Sequence, residues 1–425
     1  MNNQSTPISK SFYSLLSLPS TAMGFALCVQ IATLSWILNS KYGLDIHEVG
    51  LVWLAGPLAG ILGQVIVGAI SDNVWFWNGR RRPFILIGGT IAALMILALP
   101  FLDVINEAMG IDSIIGVAIT VALTLDLAIN VSFNPARSII ADVTPEGEAR
   151  TKGYTWMQTI SGFFGVLAYL IGAFVSNYFL IYFGAFFVFV CSVFPILAIK
   201  EPRDLEAPLA TETIDTAATK ETNWFEFLKI CFAHAFTWIG VQAMFIYTFA
   251  YIKEVIMGYE TTATITEAEN NQIGFSIGIA FAILNTVGFL LPALVLEPVA
   301  EKIGRVKTHT IAIAIMAIGY GLLVFFGQSM TSLFVLMAVV GIGWSAVVSL
   351  PFAIMSEVVN QQKMGLMMGL FNLSVVLPQI VASNLGGFIE GYDDKSVIFM
   401  ISAGTLAVSA VLWLLVKEQR QVGLV

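Results

Sequence analysis

Residues Val121–Asp142 read VALTLDLAINVSFNPARSIIAD, an apolar run with one carboxylate, Asp126, near its middle. Arg137 follows at roughly 16 Å along a helix axis, taking about 1.5 Å per residue. If this helix crosses a bilayer, Arg137 marks the membrane face and Asp126 lies close to the midplane. A carboxylate at that depth costs on the order of 3 kcal/mol or more unless it is protonated, paired or facing water. Two readings fit. In one, Asp126 takes up and releases a proton that is coupled to movement of a solute. In the other it is a structural group bonded to a neighbouring helix and never titrates. Away from helix ends, the apolar segments hold one other strongly titratable side chain, His234.

The rest of the chain supports a membrane setting for that stretch. Of 425 residues, 57% are hydrophobic and only 11% charged, and the mean hydropathy is +0.85. Apolar stretches of about 20 residues recur from end to end, the pattern of an all-α polytopic membrane protein. The net charge of −8 is carried mainly by acids between these stretches. It does not point to nucleic acid, and no nucleic-acid partner is expected. Cys28, Cys191 and Cys231 fall in or beside apolar segments, without the spacing of a metal site or a disulfide framework, so they read as small apolar fillers. The start, MNNQSTPISKSF, lacks the pattern of a signal peptide and reads as a cytosolic tail.

Twelve transmembrane helices are expected, near 14–38, 47–70, 84–102, 114–137, 154–175, 178–199, 227–252, 272–295, 308–326, 331–354, 366–388 and 396–416. Of the 20 Lys and Arg, all but Lys41, Lys253 and Lys395 then fall on one side. By the positive-inside rule that side, with both termini, is cytosolic. The polar stretch between helices six and seven divides the chain into a bundle at 1–200, a linker at 201–223 and a bundle at 224–425. The two halves echo each other. Asp72 and Gly79-Arg80-Arg81-Arg82-Pro83 follow helix two, and Glu301-Lys302-Ile303-Gly304-Arg305 follow helix eight. Pro135, Asp142, Arg150 and Gly153 follow one another around helix four, as Pro351, Glu357, Lys363 and Gly365 do around helix ten. Two pseudo-symmetric six-helix bundles with repeated loops are the architecture of the major facilitator superfamily.

The repeated acid and base suggest latches that form in one conformation and break in another. Arginine suits a latch because it stays charged and grips carboxylate bidentately. Asp72, Arg80, Arg81, Arg82, Arg137, Asp142, Glu301, Arg305 and Glu357 are the gating candidates. The competing reading is that the arginines only fix topology, which does not account for the repeated acid.

Polar side chains inside the apolar segments are amides, hydroxyls and indoles. Gln30, Gln64, Asp126, Asn130, Trp156, Gln158, Trp238, Gln242, Asn372 and Gln379 are the substrate-binding candidates, and Trp344 lies in helix ten. Amides exchange hydrogen bonds with sugar hydroxyls, and aromatic rings cover the apolar face of a sugar. No basic cluster lies within the helices, which argues against an anionic substrate. Any single amide could instead bond only to a neighbouring helix. His234 could be a packing residue or a proton relay.

Trp53-Leu54-Ala55-Gly56-Pro57, Gln64, Gly68, Ser71-Asp72 and Gly79-Arg80-Arg81-Arg82-Pro83-Phe84-Ile85 resemble the sucrose-transporter family. That family spans plant sucrose/proton symporters and related animal and bacterial transporters. The resemblance continues at Leu125-Asp126-Leu127-Ala128-Ile129-Asn130, Pro135-Ala136-Arg137, Leu296-Glu297-Pro298 and Phe371-Asn372-Leu373. It implies proton-coupled import of an α-glucoside disaccharide by alternating access, with Asp126 as the proton site. Plant members carry acids on both sides of a threonine that here is Thr248, flanked by Tyr247 and Phe249, so maltose and sucrose both stay open. The expectation is a monomeric transporter in a bacterial inner membrane, with a disaccharide and the lipid bilayer as partners. No cofactor is expected besides the proton as coupling ion. A sodium symporter, an exporter and a non-transporting sugar sensor are the alternatives. A membrane enzyme finds no nucleophile, base or metal motif.

Overall fold

The computed structural model describes residues 9–60, 75–110, 113–144, 148–201, 221–260, 263, 265–360 and 364–418. Among them the chain is helical, and a single isolated bridge, Phe76 to Gly79, closes a turn. In the first half run α1 (Lys10–Ser40), α2 (beginning Ile46–Trp53), α3 (Arg82–Ala98), α4 (Ile114–Val143), α5 (Glu148–Phe174) and α6 (Asn177–Ala198). In the second run α7 (Trp224–Ala250), α8 (Glu267–Leu291), α9 (Arg305–Phe326), α10 (Met330–Val358), α11 (Met364–Ser383) and α12 (Val397–Trp413). Among the described residues, 10 helices are long and apolar enough to cross a membrane, with α12 a shorter apolar one. The protein is a multi-pass membrane protein. The remainder of the second expected span and most of the linker lie outside the described residues.

Local chemistry sets the helix ends. Asp45 accepts the Glu48 N–H at 2.7 Å and the Glu48 carboxylate accepts the Asp45 N–H at 2.9 Å, a capping box that starts α2. Thr266 and Glu269 do the same for α8. Several helices run past the apolar spans read from sequence, while α12 falls short of its span at 396–416. α4 continues beyond Arg137 to Val143, because the backbone bonds of a helix persist where its side chains turn polar. Pro135 and Pro351 sit inside α4 and α10, where neighbouring helices can satisfy the freed carbonyls. α7 and α8 each end in a π-helical turn, Tyr251–Ile256 and Pro292–Leu296; such turns break helical regularity and often mark functional positions.

The side-chain distribution is that of a lipid-embedded bundle. Large apolar groups face outward, with Phe186 65%, Leu197 77% and Phe325 74% exposed, while Thr21, Ser192 and Ser345 are buried. Without a hydrophobic force between helices in lipid, close approach at small residues holds them together. Gly88 of α3 sits so near α4 that a Cβ would meet the Ala128 carbonyl oxygen at 2.6 Å. Gly343 of α10 sits so near α9 that a Cβ would meet the Ala312 carbonyl oxygen at 2.8 Å.

The chain forms two compact units. The first holds Met1–Gln30, Ala59–Ile171 and Asn177–Thr213; the second holds Ile31–Leu58, Gly172–Ser176 and Ile214–Val425. The second half of α1 and the start of α2 belong to the second unit for identifiable reasons. Ser35 donates to the Ile246 carbonyl at 2.8 Å, and the Trp36 indole donates to the Asn270 carbonyl at 3.0 Å. Tyr247 donates to the Ser383 carbonyl at 2.9 Å, and Gly50 lies against both of those groups. Gly386 packs on the backbone of Ile46 and His47.

Candidate functional site

In the first unit, α1 and α4 bring Gln30 and Asp126 together. Both are buried, and Gln30 Nε2 donates to Asp126 Oδ2 at 2.9 Å. Among the described residues Asp126 takes part in no ion pair; its bonded partner is a neutral amide. A neutral donor can hold a carboxyl group whether or not the acid carries its proton, whereas a bonded arginine would favour the charged form. Asn130, four residues on, turns its Nδ2 to the Asp126 carbonyl at 2.8 Å. Trp156 is half-buried and stacks on Tyr13 of α1, with centroids 6.4 Å apart, and Gln158 is exposed. Neither bonds to the Gln30–Asp126 pair. Gln64 lies outside the described residues.

In the second unit, His234, Trp238 and Gln242 repeat every four residues along one face of α7. The Trp238 indole donates to His234 Nε2 at 2.9 Å. Gln379 of α11 donates through Nε2 to Gln242 Oε1 at 3.2 Å. The Trp238 ring meets the Trp344 ring edge to face, with centroids 6.1 Å apart, and the Trp344 indole donates to Asn285 Oδ1 at 3.3 Å. Gly288 of α8 makes room for that ring, since a Cβ there would meet Trp344 Cδ1 at 2.6 Å. Asn372 is half-buried beside Phe371. Asn285 was not among the candidates read from sequence; its signal was an amide in the middle of an apolar helix.

The gating candidates form one pattern in each unit. Arg80 Nη2 and Arg81 Nε lie 3.0 and 3.2 Å from Asp142 Oδ2. Glu201, just beyond α6, accepts the backbone N–H groups of Arg80 at 2.7 Å, Arg81 at 3.0 Å and Arg82 at 2.7 Å. In the second unit Arg305 pairs with Glu357. Glu418, just beyond α12, accepts the backbone N–H groups of Arg305 at 2.5 Å and Val306 at 3.1 Å. Each carboxylate occupies the positive end of a helix dipole, where N–H groups lack intrahelical partners. Each ion pair lies inside its own unit, joining the start of α3 to α4 in the first and the start of α9 to α10 in the second. Glu201 and Glu418 escaped sequence reading, although Lys200-Glu201 and Lys417-Glu418 are a repeated dipeptide at matching places. Arg82 donates to the carbonyls of Asn78 and Ile196. Arg137 lays its guanidinium over the Phe133 ring at 4.1 Å. Glu301 is exposed and lines a cavity of about 410 Å³ with Glu297, Lys302, Arg305, Glu357 and Glu418. Asp72 lies outside the described residues. Among the described residues no group of three or more His, Cys, Asp or Glu is placed to hold a metal.

The profile of the MFS/sugar transport protein family matches residues 15–392. The chain belongs to that family. As an MFS/sugar transport protein it is a transporter and not an enzyme. Sucrose transport protein SUT5 of Oryza sativa subsp. japonica is 24% identical over 450 residues, covering 91% of this chain and 83% of that protein. Sucrose transport protein SUC4 of Arabidopsis thaliana is 26% identical, covering 87% and 82%. A general alpha-glucoside permease of Schizosaccharomyces pombe is 31% identical over 186 residues, covering 40% and 33%. Among solved structures, a D-xylose-proton symporter superposes with a TM-score of 0.70 at 15% identity, covering 96% and 99%. The nucleoside transporter NupG superposes with a TM-score of 0.68 at 14% identity, covering 96% and 100%. These neighbours share the twelve-helix major facilitator fold.

Proposed function

We propose that this protein is a proton-coupled symporter that imports an α-glucoside disaccharide, maltose or sucrose, by alternating access. The observation that carries the proposal is the buried Gln30–Asp126 pair. A lone acid held by a neutral amide can exist in two protonation states without losing its partner. With its proton, Asp126 becomes a donor to a sugar hydroxyl, so proton and sugar bind better together than apart. Without it, the buried charge disfavours an empty occluded state, which limits proton leak. Among the described residues no cluster of oxygen ligands surrounds Asp126, which favours a proton over sodium as the coupled ion. The names of the sucrose and alpha-glucoside relatives support the sugar class.

The remaining parts take their roles from this reading. The Arg80/Arg81–Asp142 and Arg305–Glu357 pairs, with the caps at Glu201 and Glu418, hold the cytosolic helix ends in one conformation and release them in another. The functional division is a bundle at 1–200, a linker at 201–223 and a bundle at 224–425, with both termini cytosolic. The protein works as a monomer in the plasma membrane of a bacterium and uses no cofactor besides the proton.

The test is uptake of labelled maltose and sucrose into proteoliposomes, with and without an inward proton gradient. Gradient-driven accumulation of either sugar is the expected result. Equilibration without accumulation overturns the coupling. Accumulation that follows a sodium gradient assigns another ion, and uptake of neither sugar overturns the substrate.

A further inference from the structure

We propose that His234 is a positioning residue that holds the Trp238 indole as a stacking platform for a hexopyranosyl ring. This rests on the sugar-transport reading above and deepens it. The argument begins with accessibility. His234 is 0% exposed, with its ring flat against Phe371 at 5.0 Å between centroids and 13° between planes. A side chain so enclosed acts through a neighbour. That neighbour is Trp238, which is half-buried and gives its indole proton to His234 Nε2 at 2.9 Å.

The direction of this bond decides between two roles for the histidine. Nε2 accepts, so the imidazole proton sits on Nδ1 and the ring is neutral. An imidazolium has no free lone pair and could not accept the indole N–H. A proton passing through His234 would therefore break the contact that fixes Trp238. Nδ1 has no hydrogen-bond partner among the described residues. An apolar side chain of similar shape would fill the same space but leave the indole N–H without its acceptor. The imidazole is worth keeping here for its acceptor.

The neighbouring ring carries the same device. The Trp344 indole N–H is taken by Asn285. Trp238 and Trp344 stand at 81° to each other, and both have their only polar group bound by protein. What they offer a ligand is ring surface, which matches the apolar C–H face of a pyranose and not a donor-seeking group. Gln242 lies one helical turn from Trp238, and with Gln379 of α11 bonded to it the pair supplies amides suited to ring hydroxyls. The substrate class is a sugar with at least one pyranose ring presenting a C–H face.

The experiment compares wild type, His234→Leu, His234→Gln and Trp238→Phe, with each His234 variant also placed in the Trp238→Phe background. Uptake of maltose and sucrose is measured in proteoliposomes, alongside the ultraviolet resonance Raman signature of indole N–H hydrogen bonding. His234→Leu is expected to raise KM about tenfold, the size of a bond of ~1.4 kcal/mol, with kcat and gradient-driven accumulation kept. His234→Gln, whose amide oxygen can accept the indole proton, is expected to stay within about twofold of wild type. In the Trp238→Phe background neither variant should change KM further. The weakened indole bond should show in the Raman spectrum of His234→Leu and not of His234→Gln. Loss of accumulation with exchange preserved in both His234 variants would make His234 a proton relay and overturn the proposal. Additive effects in the Trp238→Phe background, or an unchanged KM in His234→Leu, would overturn it as well. If wild type transports neither sugar, the substrate reading fails. The Raman comparison then still decides whether His234 holds Trp238, and an unchanged signature there overturns the positioning role on its own.

Discussion

The two units are alike at their helix ends and unlike in their middles. At the ends, a carboxylate beyond the last helix caps a helix start, Glu201 at α3 and Glu418 at α9. In each, an acid late in the next helix pairs with arginine, Asp142 in one and Glu357 in the other. In the middles, the first unit buries an acid against an amide, and the second buries a histidine and an amide beside half-buried indoles. The likeness of the two units is thus confined to their helix ends. On the proposed reading, the shared ends form the latches and the unshared middles take the proton and the sugar.

The sharpest way to test that division is Asp126→Asn. At ~100 mV across the membrane one coupled charge is worth about 2.3 kcal/mol, roughly 50-fold accumulation. The variant should lose all of it while exchange continues, measured as the steady-state ratio of internal to external sugar. Normal accumulation would remove the first unit's claim to the coupling step.

Next in size are the glycine contacts. Gly88→Ala and Gly343→Ala each force a Cβ against a carbonyl oxygen of the facing helix. Each should cost about 1–3 kcal/mol of stability, read as a lowered thermal midpoint in detergent, and the two should match. A large effect in one alone would break the likeness of the scaffolds. Glu201→Gln and Glu418→Gln come third, at about 1–2 kcal/mol each from the lost charge at a helix start. Glu201 serves more N–H groups than Glu418, so its variant should show the larger fall in midpoint. The smallest effect is expected for Glu357→Gln. Its partner Arg305 is 47% exposed, and an ion pair so wet is worth about 0.2–1 kcal/mol.

The helices were legible in the sequence, and Asp126 stood out there, because membrane burial imposes a long, uniform constraint. A run of apolar side chains has one economical fold in lipid, and a lone acid within it stands out. Arg305–Glu357 and Arg81–Asp142 were legible as chemistry, since acid and base recur in both halves. That each pair stays within one unit was not, because the loop pattern does not say which helix end an arginine will meet. Glu201 is harder still. Its role comes from the backbone of residues far away in sequence, and backbone N–H groups leave no trace in side-chain identity. The same holds for α1. Its residues read as one uninterrupted helix, yet Gln30 bonds within the first unit while Ser35 and Trp36 bond within the second. The π-helical turn at Tyr251–Ile256 likewise has no marker such as proline.

Gly50 and Gly386 have one more consequence. At both, the start of α2 meets its neighbours with bare backbone, lying on the Ser383 carbonyl at one point and meeting Gly386 beside Ile46 and His47 at the other. No side chain from either glycine is keyed into the opposing surface. The Tyr247 hydroxyl lies against Gly50 and the His47 imidazole against the adjacent Gly387, so a side chain added at this joint would have to displace groups already seated there.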